Sequence, residues 1–137
     1  MQRTTTKQGG LIILESLVAV VIFSLGILGI VGLLTLSVKN TESAKYRNVA
    51  GLLANSITGQ MWVDDKTNAS LKTNFESPYG TQFVAWKSKV IDALPGIEAN
   101  PPTITINTSN VATITVWWQA PGEPAAHNYI LNALIIN

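Results

Sequence analysis

Three places in this 137-residue chain bring together residues able to do chemistry. The first is Gly9-Gly10 followed by Leu11, with Glu15 five residues beyond Gly10 inside an otherwise apolar segment. An ionised carboxylate costs several kcal/mol near the centre of a bilayer, less near an interface, and is usually paired or functional. Two explanations of Glu15 stand side by side. In one, it lies in the first turn of a helix near the cytoplasmic face, where the helix dipole and headgroup water stabilise an anion by about 0.3 to 1 kcal/mol. In the other, a cut between Gly10 and Leu11 creates an α-ammonium group at Leu11. Glu15 then neutralises such a charge when helices pack side by side in lipid or in a fibre. The second place is Asp64-Asp65 with Asn68 close by, oxygen donors of the kind that take a hard cation, although adjacent carboxylates in a polar loop are more often only solvated. The third is Trp117-Trp118. In a strand, neighbouring indoles point to opposite faces, which leaves one of them exposed or covered by a neighbouring subunit.

Other reactive groupings are missing. His127 is the only histidine, cysteine is absent, and no Gly-rich phosphate loop or Gly-x-Ser-x-Gly elbow occurs. Neither a catalytic triad nor a typical transition-metal site can be assembled, so no enzyme activity and no cofactor are expected. His127 follows a Pro-rich turn and is expected at the surface. Asn68-Ala69-Ser70 and Asn107-Thr108-Ser109 match the glycosylation triplet, a pattern common by chance. Nine basic residues against eight acidic give a formal charge of +1, so no direct nucleic-acid site is predicted.

What must position these residues is an unusual distribution of apolar side chains. Hydrophobic residues make up 47% of the chain and charged residues 12%, where about 25% is usual in a soluble domain. The excess sits at one end: from Leu11 to Val38, 28 residues run without Lys, Arg, Asp or His. As a helix this segment reaches about 42 Å, more than the ~30 Å hydrocarbon core of a bilayer. It is too long for a conventional secretory signal peptide. Arg3 and Lys7 precede it and Glu42 is the first acid after it, which orients the N-terminus to the cytoplasm and the remainder outside. Gly26, Gly29 and Gly32 follow at three-residue spacing. They serve either close approach between membrane helices or a deliberately weak helical segment, each glycine costing about 0.8 to 1 kcal/mol relative to Ala.

Lys7-Gln8-Gly9-Gly10, then Leu11-Ile12-Ile13-Leu14-Glu15-Ser16-Leu17-Val18-Ala19, resembles the class III leader and helix start of type IV pilins and pseudopilins. Ser24-Leu25-Gly26-Ile27-Leu28-Gly29-Ile30-Val31-Gly32-Leu33 is most similar to the PilV group of minor pilins. The likeness is strong over residues 7 to about 55. It implies that a prepilin peptidase cuts after Gly10 and methylates the new N-terminus at Leu11, where most members have Phe. Removal of residues 1–10 takes Arg3 and Lys7 with it and leaves seven basic against eight acidic residues. Major pilins often carry Pro where this chain has Gly32, which favours the softened-helix reading.

Beyond Val38, the residues Val49, Leu52, Leu53, Ile57 and Met61 recur at i, i+3, i+4, i+8 and i+12, a helix with one apolar stripe. The spacing therefore predicts one helix from Leu11 to Trp62, about 78 Å long. Residues 63–82 read as a loop with at most a short helical turn. Phe83, Trp86, Lys87, Val90, Ile91 and Leu94 fit a second amphipathic helix ending at Pro95-Gly96. Thr103 to Ile106 and Val111 to Trp118 alternate Thr with Ile or Val around Asn107-Thr108-Ser109-Asn110, which predicts a hairpin. Ile104, Ile106, Ile114, Val116 and Trp118 share the face toward the long helix, and Tyr129 to Ile136 form a third strand.

The expected fold class is α+β: a type IV pilin fold with a long N-terminal helix, membrane-spanning in its first half, packed on a small antiparallel sheet of about three strands. The expected parts are a leader over 1–10, a transmembrane or filament-core helix over 11–38, an amphipathic continuation over 39–62, and a globular head over 63–137. By resemblance, the expected role is a minor pilin that primes, caps or modifies a type IV pilus and so supports adhesion, twitching motility or DNA uptake indirectly. Its partners would be other minor pilins, the major pilin, the prepilin peptidase, the inner-membrane assembly platform, and membrane lipid before assembly. It would sit in the inner membrane with a periplasmic head, then in the extracellular fibre. The alternatives are a pseudopilin of a type II secretion system, and a membrane-anchored adhesin or ligand-binding module presenting Trp117, Trp118 and the loop at 63–82.

Overall fold

A computed structural model of the chain describes residues 9–136. All but the last two residues of the leader lie outside the described residues. Six elements follow in the order α1 (Gly9–Val63), α2 (Asn68–Phe75), α3 (Thr81–Ala93), β1 (Thr103–Ile106), β2 (Val111–Trp118) and β3 (His127–Leu134). The chain divides into two compact units, one ending at Asn40 and the other beginning at Thr41.

In the first unit α1 is apolar on every side and none of its apolar window is buried. Leu11 is 70% exposed and Phe23 69%. By length and composition this helix is sufficient to cross a membrane. It runs uninterrupted through Gly26, Gly29 and Gly32. Its few hydroxyls satisfy themselves: Ser16, Ser24 and Thr35 donate to the carbonyls of Ile12, Val20 and Val31 at 2.9, 2.7 and 3.0 Å, which leaves no free donor to face hydrocarbon at those three positions.

In the second unit the continuation of α1 packs on the sheet through Ala50, Ala54, Ile57 and Met61, all fully buried, flanked by Tyr46, Val49 and Leu53. The stripe predicted from spacing is thus turned by part of a residue step. Leu52, expected inside, is 70% exposed, and two alanines take the centre. The reason is close approach. A side chain built at Gly51 would stand 3.6 Å from the Tyr129 ring, so the sheet lies against a face of small residues where a leucine would hold it away.

The stretch 63–82 also departs from expectation, because it holds a regular eight-residue helix, α2, rather than a loop with one turn. The Thr67 hydroxyl caps it by accepting from the Ser70 N–H at 3.4 Å, and Leu71 and Phe75 bury one face. The polar residues that read as loop are its cap and outer face. α3 buries Phe83, Trp86 and Val90, with Leu94 buried just beyond it, while Ile91 remains 47% exposed. The Trp86 Nε1–H donates to the Leu53 carbonyl at 2.9 Å, tying α3 to α1.

The three strands form one antiparallel sheet in the order β1-β2-β3, with Ile104 opposite Ile114 and Val116 opposite Tyr129. β2 alternates strictly, burying Ala112, Ile114, Val116 and Trp118, as its period of two dictates. β3 begins two residues earlier than Tyr129 and ends at Leu134 rather than Ile136. Buried side chains in the core are all apolar.

Candidate functional site

Gly10, Leu11 and Glu15 occupy the first turns of described α1. Gly10 is exposed, with nothing within 4 Å of the position a Cβ would take, so the backbone around the Gly10–Leu11 bond is sterically open. Leu11 and Glu15 stand four residues apart and therefore on one face of the helix, about 6 Å apart along its axis. The Leu11 nitrogen and the carboxylate of Glu15 thus lie on the same side of the helix, about one turn apart. Glu15 is exposed, and among the described residues its carboxylate has neither cation nor hydrogen-bond donor beside it. That contrasts with the self-satisfied hydroxyls at Ser16, Ser24 and Thr35.

The glycines 26, 29 and 32 likewise have nothing within 4 Å of a built Cβ. No part of the described chain fills the notch each makes in the helix surface.

In the head, Trp117 and Trp118 separate as the strand period requires, and the outcome corrects the expectation that both are candidates for contact. Trp118 is 2% exposed and belongs to the core cluster. Its ring stacks on His127, with centroids 5.9 Å apart and planes at 24°. Trp117 lies half-buried on the outer face opposite Asn128, and it alone of the pair reaches the surface. His127 is exposed, as expected, and its Nε2 lies 2.9 Å from the Glu123 carboxylate. Glu123 Oε2 makes no well-directed hydrogen bond, so this contact is one of proximity, an ion pair when the imidazole is protonated.

Asp64, Asp65 and Asn68 do not converge. Asp65 accepts from the Thr67 N–H and hydroxyl at 3.0 and 3.1 Å, and Asp64 accepts from the Asp65 N–H at 2.8 Å. Asn68 turns its amide the other way, donating to the Asn107 carbonyl and Asn110 Oδ1 at 2.8 and 2.7 Å. Asn110 in turn donates to the Lys66 carbonyl at 3.0 Å. These residues lock the start of α2 to the β1–β2 turn, where Asn110 has φ +57°, a conformation asparagine tolerates. The sequence identified the residues but not this use of them. Among the described residues no cluster of three or more His, Asp or Glu side chains is placed to hold a metal ion.

The arrangement defines a class: a long apolar N-terminal helix whose continuation packs on a small three-stranded antiparallel sheet, an α+β architecture of pilin-like form. In comparisons with protein-family models, curated proteins and solved structures, nothing matches this chain.

Proposed function

We propose that this chain is a minor pilin of the PilV type, a structural subunit and not an enzyme. It waits in the inner membrane with its head in the periplasm, is cut between Gly10 and Leu11 by a prepilin peptidase, and enters a type IV pilus through its apolar helix. There it primes, caps or modifies assembly alongside other minor pilins, the major pilin and the assembly platform. Adhesion, twitching motility or DNA uptake follow indirectly. One observation carries this reading: an unpaired carboxylate, Glu15, stands one helical turn from the proposed new N-terminus at Leu11, on a helix with no buried apolar window. A free ammonium and a free carboxylate in lipid each need a counter-charge, and a neighbouring subunit of the same design supplies both.

Mass spectrometry of the membrane-extracted protein tests it. The mature chain should begin at Leu11 and carry an N-methyl group. Gly10→Ala should leave the full-length precursor in the membrane. A mature start elsewhere, or unchanged processing of the Gly10→Ala variant, overturns the assignment.

A further inference from the structure

We infer that the free edge of β3 docks a second copy of this chain, the two β3 strands pairing antiparallel about a two-fold axis at Asn132. The edge belongs to the head alone, and its pairing does not depend on the assembly reading.

The two edges of the sheet differ. In an antiparallel ladder, opposite residues exchange main-chain bonds at every second position, and the residues between them aim their N–H and C=O groups the other way. The Asn107 N–H donates to the Val111 carbonyl at 3.1 Å and the Ile135 N–H to the Asn110 carbonyl at 2.9 Å. β2 therefore bonds β1 through its odd residues and β3 through its even ones. The main-chain groups left facing outward are those of Ile104 and Ile106 on β1, and of Asn128, Ile130, Asn132 and Leu134 on β3. On β1 they are answered. The Ser77 N–H donates to the Ile104 carbonyl at 3.0 Å, the Ile104 N–H to Ser77 Oγ at 3.3 Å, and the Ile106 N–H to Glu76 Oε1 at 3.3 Å. On β3, no hydrogen bond from the described residues reaches the outward main-chain groups.

Nothing blunts this open edge. β3 contains no Lys, Arg, Asp, Glu, Pro or Gly, and its register with β2 runs from His127 to Leu134 without a bulge. Those are the usual means of keeping another strand away, and an edge without them is a template for one.

The side chains along the edge select the partner. Asn128, Ile130, Asn132 and Leu134 lie on the outer face of the sheet, while Tyr129, Leu131 and Ala133 lie toward the core. With Asn132 opposite its counterpart in the second copy, Ile130 of each copy falls opposite Leu134 of the other, and Leu131 opposite Ala133. Apolar then meets apolar on both faces, and amide meets amide. Asn132 Oδ1 already accepts from the Thr113 hydroxyl at 2.7 Å, which orients the amide and leaves its N–H groups for the second copy. The next registers on either side set Asn132 against Ile130 or Leu134. A register centred on Ile130 sets Leu134 against Ala126, outside the strand. With no Asp, Glu, Lys or Arg on either strand, no like charges oppose each other across the pair. Because Glu76 and Ser77 close the far edge of each sheet, the assembly is isologous and stops at two copies.

The test uses the full chain in detergent. Because the chain has no cysteine, Asn132→Cys provides a unique thiol at the axis. A short bismaleimide should link it into dimers, and should not link Thr105→Cys beside the closed edge. Sedimentation velocity over a range of concentrations gives the dimer dissociation constant. Ile130→Lys should raise it at least about tenfold, since the two-fold repeats the charge at two places on the edge, and Leu134→Glu should do likewise. These side chains are 54% and 50% exposed, so both variants should melt near the parent. The double variant should regain the dimer, because each lysine then faces a glutamate of the other copy. Within one chain the two positions stand about 13 Å apart along the strand, too far to pair. A monomer at every concentration overturns the proposal, as does a dimer that Ile130→Lys leaves unchanged. Failure of the double variant to regain the dimer, or equal linking of Thr105→Cys, overturns it too.

Discussion

Ile57 and Leu52 both belong to the apolar stripe read from spacing, yet Ile57 is fully buried and Leu52 is 70% exposed. Truncating each to Ala therefore separates packing from pattern. Ile57 belongs to the buried core cluster, and Ile→Ala at such a site costs about 2 to 5 kcal/mol through lost transfer energy and the cavity left behind. For a head of this size each kcal/mol moves the melting temperature by about 4 to 8 °C. A loss of about 3 kcal/mol is then a fall of about 12 to 24 °C, a large part of the ~5 to 15 kcal/mol that holds such a domain together. Leu52→Ala removes a side chain already mostly in solvent and replaces it with a better helix former. Its effect should stay within about 0.5 kcal/mol, or under about 4 °C. The assay is thermal unfolding of the full chain in detergent, followed by near-ultraviolet circular dichroism, which reports the packing of Trp86 and Trp118. Comparable losses from the two variants would mean that the face of α1 against the sheet has been assigned wrongly.

Two other predictions concern single positions. Glu15→Ala should still be cut after Gly10 yet be recovered in sheared fibres at a small fraction of the parent level; normal incorporation would show that the carboxylate is not needed for docking. Gly96→Ala should destabilise the head by about 1 to 3 kcal/mol, because Gly96 has φ +72° and a Cβ there would stand 2.7 Å from Gln119 Cβ and 2.9 Å from its carbonyl oxygen. Gly122→Ala, at φ +82° with open space around it, should cost less; equal melting temperatures for the two variants would remove the steric part of this account.

The strands were legible because their chemistry is local. Alternating Thr with Ile or Val fixes both element and face, and the turn asparagines do their work within four residues: Asn107 Oδ1 accepts from the N–H groups of Ser109 and Val111, both at 2.9 Å. The long helix was legible because nothing breaks it. What sequence could not show is everything decided by contact at a distance. Ala50 and Ala54 carry no strong apolar signal, so the pattern favoured Leu52; only the approach of Tyr129 to Gly51 explains the choice. α2 was hidden because its eight residues carry only two buried apolar side chains. The outer edge of β1 is covered by the Glu76–Ser77 segment, with the Ser77 N–H donating to Ile104 O at 3.0 Å and the Ile106 N–H to Glu76 Oε1 at 3.3 Å. That role is invisible in two polar residues read as loop. At the N-terminal site the spacing of Gly10, Leu11 and Glu15 was legible in full, since a helix converts spacing directly into position.

Small residues serve α1 twice, and the two uses differ in where the neighbour is found. At Ala50, Gly51 and Ala54 the neighbour is the chain's own sheet, and the loss of side-chain area on the helix is offset by the core that closes over it. At Gly26, Gly29 and Gly32 no described atom comes within 4 Å of where a side chain would be. Three glycines there cost the helix about 2.4 to 3 kcal/mol relative to alanine, with nothing inside the described chain to offset it. The same holds for Glu15, an anion without a counter-charge among the described residues. Both features are those that the proposed assembly would use. On the proposed reading, a second helix lying alongside would supply close backbone approach at the glycines and an opposite charge at Glu15 at once.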